Sequence, residues 1–315
     1  MEVLLFSLFN GILYGLLLFM LSSGLTLIFS MMGILNFAHA SFFMLGAYFA
    51  YQISKYVGFW PALIFAPLIV GVVGALIERY GLRPVHKFGH VAELLLTFGL
   101  AFVIEEVVQM IWGKAPVPYE IPQSLKFPAF NWLGLDYSAY RVFMVLISVA
   151  IFVGLYGFIK RTRVGLIIQA ALSHPGIVGT LGHNVPRIFM LVFGFGSGLA
   201  GIAGVLGGNA LGTEPAMAIQ LGTIVFVVIV VGGLGSLGGA LVASIFIGIL
   251  TNIAVSYDIS FRGFFMALGV SKDALGVGSD LVNMTSAGIS PILPYLLLVL
   301  MLIVRPRGLF GKRDV

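Results

Sequence analysis

Apolar residues dominate the chain in long runs, and polar residues are confined to short stretches between them. No Asp, Glu, Lys or Arg occurs between Glu2 and Lys55. This run is too long for one helix, because crossing ~30 Å of hydrocarbon takes ~20 apolar residues. In lipid each span must be helical, since an open sheet would leave backbone groups unpaired. The pattern predicts nine spans, at about residues 3–29, 35–53, 58–77, 94–112, 142–159, 188–208, 218–233, 237–256 and 289–304.

Two segments interrupt this pattern, one in each half of the chain, and predict broken or re-entrant helices near 30–39 and 232–239. The first contains Asn36 and His39 inside an uncharged stretch, and the second is rich in glycine around Gly235 and Ser236. Each glycine costs a helix ~1 kcal/mol relative to alanine. Non-helical backbone at membrane depth occurs against protein or beside a watery cavity. These four residues are therefore candidates for a translocation pathway, with structural hydrogen bonding as the alternative for His39.

Two adjacent carboxylates, Glu105 and Glu106, lie inside the apolar run 94–112. A charge in the bilayer costs at least ~2.5–3.5 kcal/mol, so such side chains face protein or water. Adjacent helical positions diverge by roughly 100°, so the two side chains cannot face the same way. Pathway lining, pairing with a base and proton coupling all remain open for them. Thr97 lies two turns from Glu105 and is a further pathway candidate.

A stripe of small residues in the run 188–208 predicts a close helix–helix contact. Its members are Gly194, Ser197, Gly198, Gly201, Gly204 and Gly208.

The composition excludes an ordinary soluble enzyme, a disordered chain and a nucleic-acid-binding domain. The chain is 60% hydrophobic and 9% charged, with a mean hydropathy of +1.10, whereas soluble proteins have roughly 45–50% apolar and about 25% charged residues. It has no cysteine, which excludes disulfides and cysteine metal sites. No nucleophile motif or phosphate-binding Walker A sequence is present. We therefore expect no enzyme activity, no metal and no cofactor in this chain. His86 and His90 have a metal-compatible spacing, but a surface loop is the favoured interpretation.

Clusters of basic residues indicate the orientation of the chain in the membrane. Bases follow the last span and flank 160–187 and 79–87, which places the C-terminus in the cytoplasm and the N-terminus outside. The start of the chain lacks a basic region and a cleavage site, and is interpreted as a retained span. Two long connections, 114–140 and 257–289, are then external loops, and the second predicts an amphipathic surface element. The whole of 1–315 is interpreted as a single transmembrane domain.

The cytoplasmic segment 160–187 is unusually apolar for a loop in water. It is either an interfacial helix or a surface offered to a protein partner. Together with the glycine-rich stretch after it, it resembles the permease subunits of ABC importers of the branched-chain amino acid type. Further motifs of that family are matched by Gly24 to Phe29, Asn36-Phe37-Ala38-His39, Gly232 to Ala240, and Arg305-Pro306-Arg307-Gly308-Leu309-Phe310-Gly311. Gln169 and Ser173-His174-Pro175 depart from the family pattern.

The resemblance implies an all-α polytopic permease with the importer fold of the ribose and cobalamin type. It implies ATP-driven uptake of branched-chain amino acids or a similar small polar solute by alternating access, across a bacterial inner membrane. The implied partners are a homologous second permease chain, two cytoplasmic ATP-binding subunits that carry ATP and Mg, and a periplasmic solute-binding protein. The segment 160–187 would couple to the ATPase through Arg161, Arg163, Gly165, Gln169, Ala170, Leu181, Gly182, Val185 and Arg187. The alternative is a stand-alone channel or an ion-coupled secondary carrier.

Overall fold

The computed structural model describes residues 2–132, 135–173, 175–260 and 285–311, and most of them are helical. The helices are α1 (Glu2–Met32), α2 (His39–Val57), α3 (Phe59–Ile77), α4 (Arg83–Val85), α5 (His90–Trp112), α6 (Ala139–Arg161), α7 (Arg163–Ser173), α8 (Pro175–Thr180), α9 (Val185–Leu211), α10 (Met217–Gly232), α11 (Leu237–Tyr257), α12 (Ser286–Ile289) and α13 (Leu293–Val304). A π-helical turn, Glu78–Leu82, and a 3₁₀ turn, His86–Phe88, flank α4.

Among the described residues, seven helical segments are long and apolar enough to cross a membrane. They are α1, α3 with its extension to Phe88, α5, α6, α9, α11, and α12 joined to α13. The helices α2 and α10 lie at the other two predicted positions. The 16 residues of α10 are fewer than the ~20 of a full span. Length and composition therefore support a multi-pass membrane protein with seven candidate spans.

The helix α9 lies at the centre of the bundle and is the most buried of these spans. It packs on α1, α2 and α3, and its small residues explain how the helices approach so closely. A Cβ added to Gly46 of α2 would lie 2.7 Å from the Cα of Gly201. One added to Gly204 would overlap the carbonyl of Phe43. The predicted packing stripe is thereby confirmed.

A second close contact joins the first helix to α11. A Cβ at Gly11 would lie 2.6 Å from the Cα of Ile249, and one at Gly15 would lie 2.6 Å from the carbonyl oxygen of Ser244. These glycines lie one turn apart on α1, so that the two backbones stay in contact along the helices.

The connection 114–140 contains a short β-hairpin beside the predicted all-α bundle. A 3₁₀ turn, Gln123–Leu125, precedes an antiparallel hairpin of β1 (Pro128–Trp132) and β2 (Leu135–Ser138). Prolines in this stretch remove helix hydrogen bonds, which favours extended backbone. The rings of Phe130 and Tyr137 stack 5.1 Å apart, and Phe9 of α1 packs edge-on against both.

Several helix ends differ from the predicted ones. The helix α5 begins at His90, four residues before the predicted start, and α6 begins at Ala139 because the Ser138 hydroxyl accepts a hydrogen bond from the Tyr140 amide. After α11 a bridge between Ser260 and Thr285 closes the second long connection. The amphipathic element predicted there lies outside the described residues, as do the last four residues of the chain.

Candidate functional site

The chain reverses direction between α1 and α2 without a helix. Gly33 has a φ of +65°, a left-handed conformation that glycine adopts without strain. The Asn36 side-chain oxygen then accepts from the amide of Ala38 at 3.1 Å, which sets up the start of α2. As a result α2 begins beside the middle of α1, where His39 Nε2 lies 3.1 Å from the carbonyl oxygen of Leu21.

Three buried polar atoms on the break and on its two flanking helices have no hydrogen-bond partner among the described residues. They are Asn36 Nδ2, His39 Nδ1 and Thr26 Oγ1. Leaving a buried donor or acceptor unpaired costs about 1–3 kcal/mol. Buried groups of this kind are therefore normally satisfied by water or by a ligand.

A cavity of about 210 Å³ lies against the break. Asn36 and His39 form its polar side, and the ring of Phe37, stacked on Phe226 at 5.9 Å, forms another wall. The remaining lining comes from the break itself, α1, α2, α10 and α13, and consists of Leu25, Leu35, Ala40, Gly222, Thr223, Val225, Val227, Tyr295 and Leu298. Apolar walls with a few convergent polar groups are typical of small-molecule sites.

The structure places the predicted pathway residues in three locations. Asn36 and His39 line the cavity, whereas Thr97 of α5 contacts the wall residue Phe37, whose amide donates to the Thr97 hydroxyl at 3.3 Å. Glu105 accepts from Gln109 at 3.3 Å on the same helix, and Glu106 is exposed. Neither carboxylate lines the cavity, and a pathway role for them stays a prediction. Gly235 and Ser236 lie in the turn before α11.

The glycine-rich stretch 232–239 forms a tight turn between two helices. Gly233 and Gly235 have φ values of +101° and +78°, and the Ser236 hydroxyl caps α11 by accepting from the Gly239 amide at 3.1 Å. The segment after α13 joins this turn. Leu309 donates to the carbonyl of Val231 at 2.8 Å, and Phe310 donates to that of Gly232 at 3.0 Å. Two motifs distant in sequence are therefore one structural unit, which the sequence analysis did not detect.

The predicted coupling segment begins with a tight corner between α6 and α7. The Thr162 hydroxyl donates to the Phe158 carbonyl at 2.6 Å and accepts from the Gly165 amide at 3.0 Å. Gly165 is buried against the end of α6, where a Cβ would overlap carbonyl oxygens. The Gln169 amide donates to the carbonyl of Ile159 at 3.3 Å. This corner fixes α7 on the end of α6.

Beyond this corner the segment exposes both bases and apolar side chains. Leu181 is 72% exposed, and Val185 is half-buried at the start of α9. The other exposed members of the predicted set are Arg161, Arg163, Gln169, Ala170, Gly182 and Arg187. His174 lies outside the described residues. An exposed apolar surface between bases is typical of a docking surface for another protein.

An arginine outside the predicted set holds the far end of this segment. The Arg83 Nη2 atom donates to the carbonyl of Pro186 and to the buried carboxylate of Glu78, each at 2.7 Å. The sequence analysis used Arg83 only for orientation. The π-helical turn that begins at Glu78 was not signalled by the hydrophobic pattern.

At the opposite end of the bundle, the segment before β1 is fixed on α9. The Tyr119 hydroxyl donates to the carbonyl of Val205 at 3.1 Å, and burial raises the pKa of this phenol, so that it remains a donor. A hydrogen bond from Lys126 lowers the pKa of the neighbouring Glu120 carboxyl.

Comparison with known proteins identifies the family of the chain. The family model for the permease component of branched-chain amino acid transport systems matches residues 7–304. The high-affinity branched-chain amino acid transport system permease protein BraD of Pseudomonas aeruginosa is 24% identical over 97% of this chain and 95% of its own length. The permease protein LivH of Escherichia coli K12 is 23% identical over 98% and 95%. A probable LivH permease of Methanocaldococcus jannaschii is 28% identical over 81% and 82%. The chain therefore belongs to the permease component family of branched-chain amino acid transport systems.

Proposed function

We propose that this chain is the transmembrane permease subunit of an ATP-driven importer in the bacterial inner membrane. It moves branched-chain amino acids or a similar small polar solute into the cell by alternating access. Its partners are a homologous second permease, two cytoplasmic ATP-binding subunits and a periplasmic solute-binding protein. Nine helices, the seven candidate spans together with α2 and α10, form an importer fold of the ribose and cobalamin type.

The observation that carries this proposal is the cavity at the break between α1 and α2. Its apolar walls suit an aliphatic side chain, and the polar residues of its lining, among them Asn36 and His39, suit the polar end of an amino acid. Broken helices that meet at mid-membrane are where transporters place their substrate sites. Phe37, two residues before α2, stacks on Phe226 of α10, so the start of α2 meets α10 at this cavity.

The segment 163–187 supports an ATP-driven mechanism over a channel or carrier. Its exposed apolar residues and flanking bases would have no partner in a stand-alone transporter. In the proposed importer it sits on the ATPase, with the N-terminus of the chain outside and the C-terminus in the cytoplasm. ATP and the loaded binding protein each favour one state of the permease by contacting that state better.

Uptake by the purified complex in proteoliposomes tests this function. The complex is isolated by affinity purification of this chain, and its subunits are identified by mass spectrometry. Radiolabelled leucine uptake is then measured with ATP, with ADP, and with an imposed proton or sodium gradient. We expect co-purification of an ATPase and uptake that requires ATP. Gradient-driven uptake by the chain alone would instead establish the carrier.

A further inference from the structure

A second cavity lies beside the first and meets it at a single pair of side chains. It has a volume of about 580 Å³ and is lined by polar and apolar residues of α1, α10, α11, the 3₁₀ turn Ser290–Ile292 and the start of α13. Thr223 and Tyr295 are the two residues that line both cavities. The Tyr295 hydroxyl donates to the Thr223 hydroxyl at 2.7 Å. This hydrogen bond therefore lies on the boundary between the cavities.

The two cavities follow one another along the helix axes. On α1 the first cavity is lined by Leu25 and the second by Tyr14, which at 1.5 Å per residue are roughly 16 Å apart along the axis. On α10 the order is Phe226 and then Ile219. On α1, α10 and α13 the first cavity extends toward higher residue numbers than the second, so the two cavities are offset along the helices and overlap at Thr223 and Tyr295.

The polar groups around this boundary do not suit contact with lipid. Thr223 is exposed on the surface of the chain, as is 39% of Tyr295. Asn252 and Thr251 line the second cavity beside them. Polar side chains at membrane depth face protein or water, because hydrocarbon cannot satisfy their hydrogen bonds. The groove formed by the two cavities is therefore a hydrated or protein-covered face.

The helix that carries Tyr295 is buried at few of its positions. Of the twelve residues of α13, Pro294 and Met301 are buried. Within the described part of the chain, the Tyr295–Thr223 bond is the one side-chain hydrogen bond that α13 makes to another helix. A small shift of α13 would break this bond and join the cavities.

From this geometry we propose that Tyr295 and Thr223 form a gate between an outer vestibule, the second cavity, and an inner site, the first. In the closed gate, the hydrogen-bonded Tyr295 and Thr223 separate the two cavities. In the open gate, the Tyr295 phenol and the Thr223 hydroxyl are free to bind the polar end of the passing solute. This proposal rests on the proposed function, which supplies the solute and the driving force, but the gate itself is measurable without transport.

The absence of cysteine makes the gate directly testable, because a single introduced thiol is a unique reporter. Ala40→Cys places the reporter in the inner cavity, and Thr251→Cys places it in the outer one. Leu298→Cys serves as a second inner reporter. A small membrane-impermeant methanethiosulfonate is added to the outer face of right-side-out vesicles that contain the assembled complex. The measured quantity is the ratio of inner to outer modification rates.

Five backgrounds are compared: the unmodified gate, Tyr295→Phe, Tyr295→Ala, Thr223→Val and the control Tyr257→Phe, which alters a phenol that lines neither cavity. We expect a low ratio in the unmodified and control chains. Tyr295→Phe should raise it roughly fivefold, the factor for loss of one hydrogen bond, and Tyr295→Ala should raise it further. Thr223→Val should match Tyr295→Phe.

The same ratio in all backgrounds would overturn the gate, and so would an inner reporter that is modified as fast as the outer one in the unmodified chain. Retention of the ring in Tyr295→Phe guards against misfolding as the cause of a raised ratio. A raised ratio without ATP-dependent uptake would contradict the proposed function and leave the gate standing. ATP-dependent uptake with an unchanged ratio would contradict the gate and leave the proposed function standing.

Discussion

The amide of Phe37 donates to the hydroxyl of Thr97 across 3.3 Å, and this contact ties the break between α1 and α2 to α5. The Thr97 hydroxyl donates in turn to the Leu94 carbonyl at 3.1 Å, so its lone pair points at the break. Phe37 lies between Asn36 and the start of α2, and its ring forms a wall of the first cavity. The position of that wall therefore depends on a side chain from another helix.

Replacing Thr97 by valine removes this acceptor while keeping the shape of the side chain. The Phe37 amide is then left unpaired, and we expect a loss of about 1–3 kcal/mol of stability. Thr97→Ser keeps the hydroxyl and should be nearly neutral. Thermal unfolding of the purified chain in detergent, followed by intrinsic fluorescence, measures the difference. Equal midpoints for the valine and serine variants would show that the contact contributes nothing.

Because α9 packs closely on α2, a side chain added at a glycine of this contact should destabilise the protein. A side chain added at a glycine with open space around it should be tolerated. In Gly204→Val the new side chain overlaps the Phe43 carbonyl, and overpacking should cost at least about 1–3 kcal/mol. Gly154→Val is the control, because a Cβ there meets no atom within 4 Å. Size-exclusion chromatography of the solubilised proteins should show aggregation for Gly204→Val alone. A monodisperse peak for both variants would mean that α9 and α2 can move apart at little cost in free energy.

The docking of the C-terminal segment on the glycine-rich turn gives a further matched pair. Gly308 has a φ of +74°, and a Cβ there would lie 2.5 Å from the Val230 carbonyl oxygen. Gly89 has a φ of +87° with open space around it. Gly89→Ala should cost about 1–3 kcal/mol for its backbone conformation alone, whereas Gly308→Ala should also release the segment. Limited proteolysis after α13 measures this release, and equal cleavage of both variants would contradict it.

The helical architecture followed from the sequence because lipid leaves few alternatives for a long apolar run. The break at Asn36 and the stripe along Gly194 to Gly208 were visible because polar and small residues stand out in such runs. The hairpin after Pro128 was not, since prolines mark where a helix is excluded without indicating which extended strands pair.

Only part of the candidate site could be predicted from the sequence, for a related reason. Asn36 and His39 are conspicuous in an uncharged stretch, but Thr223 and Tyr295 are ordinary residues of apolar helices. Only packing brings them together at the cavities. Glu105 was conspicuous and lies elsewhere, because a charge indicates contact with protein or water without specifying which contact.

The pair Glu78 and Arg83 predicts a coupled effect on stability. The Glu78 side chain is 3% exposed, and Arg83→Ala would leave its charge buried and unpaired. We expect a loss of about 3 kcal/mol, the lower end for such pairs, because Arg83 keeps contact with solvent. Adding Glu78→Gln should recover part of that loss. Denaturation midpoints of the two single variants and the double variant give the interaction energy between Glu78 and Arg83. Strictly additive losses of stability would show that the two side chains do not stabilise each other.

The exposed face of α7 predicts a variant that folds but does not couple. Ala170 is exposed in the middle of the proposed docking segment, so Ala170→Asp adds a charge without disturbing the bundle. At an interface with the ATP-binding subunit, a desolvated and unpaired carboxylate is strongly unfavourable. We expect ATP hydrolysis that no longer responds to the loaded binding protein, and uptake reduced by roughly tenfold or more, while Ala170→Ser behaves like the unmodified chain. Unfolding midpoints should be equal for both variants, because neither alters a buried contact. Normal substrate-stimulated hydrolysis in Ala170→Asp would place the ATPase on another surface of the permease, and the exposed bases around 79–87 would then be the next surface to test.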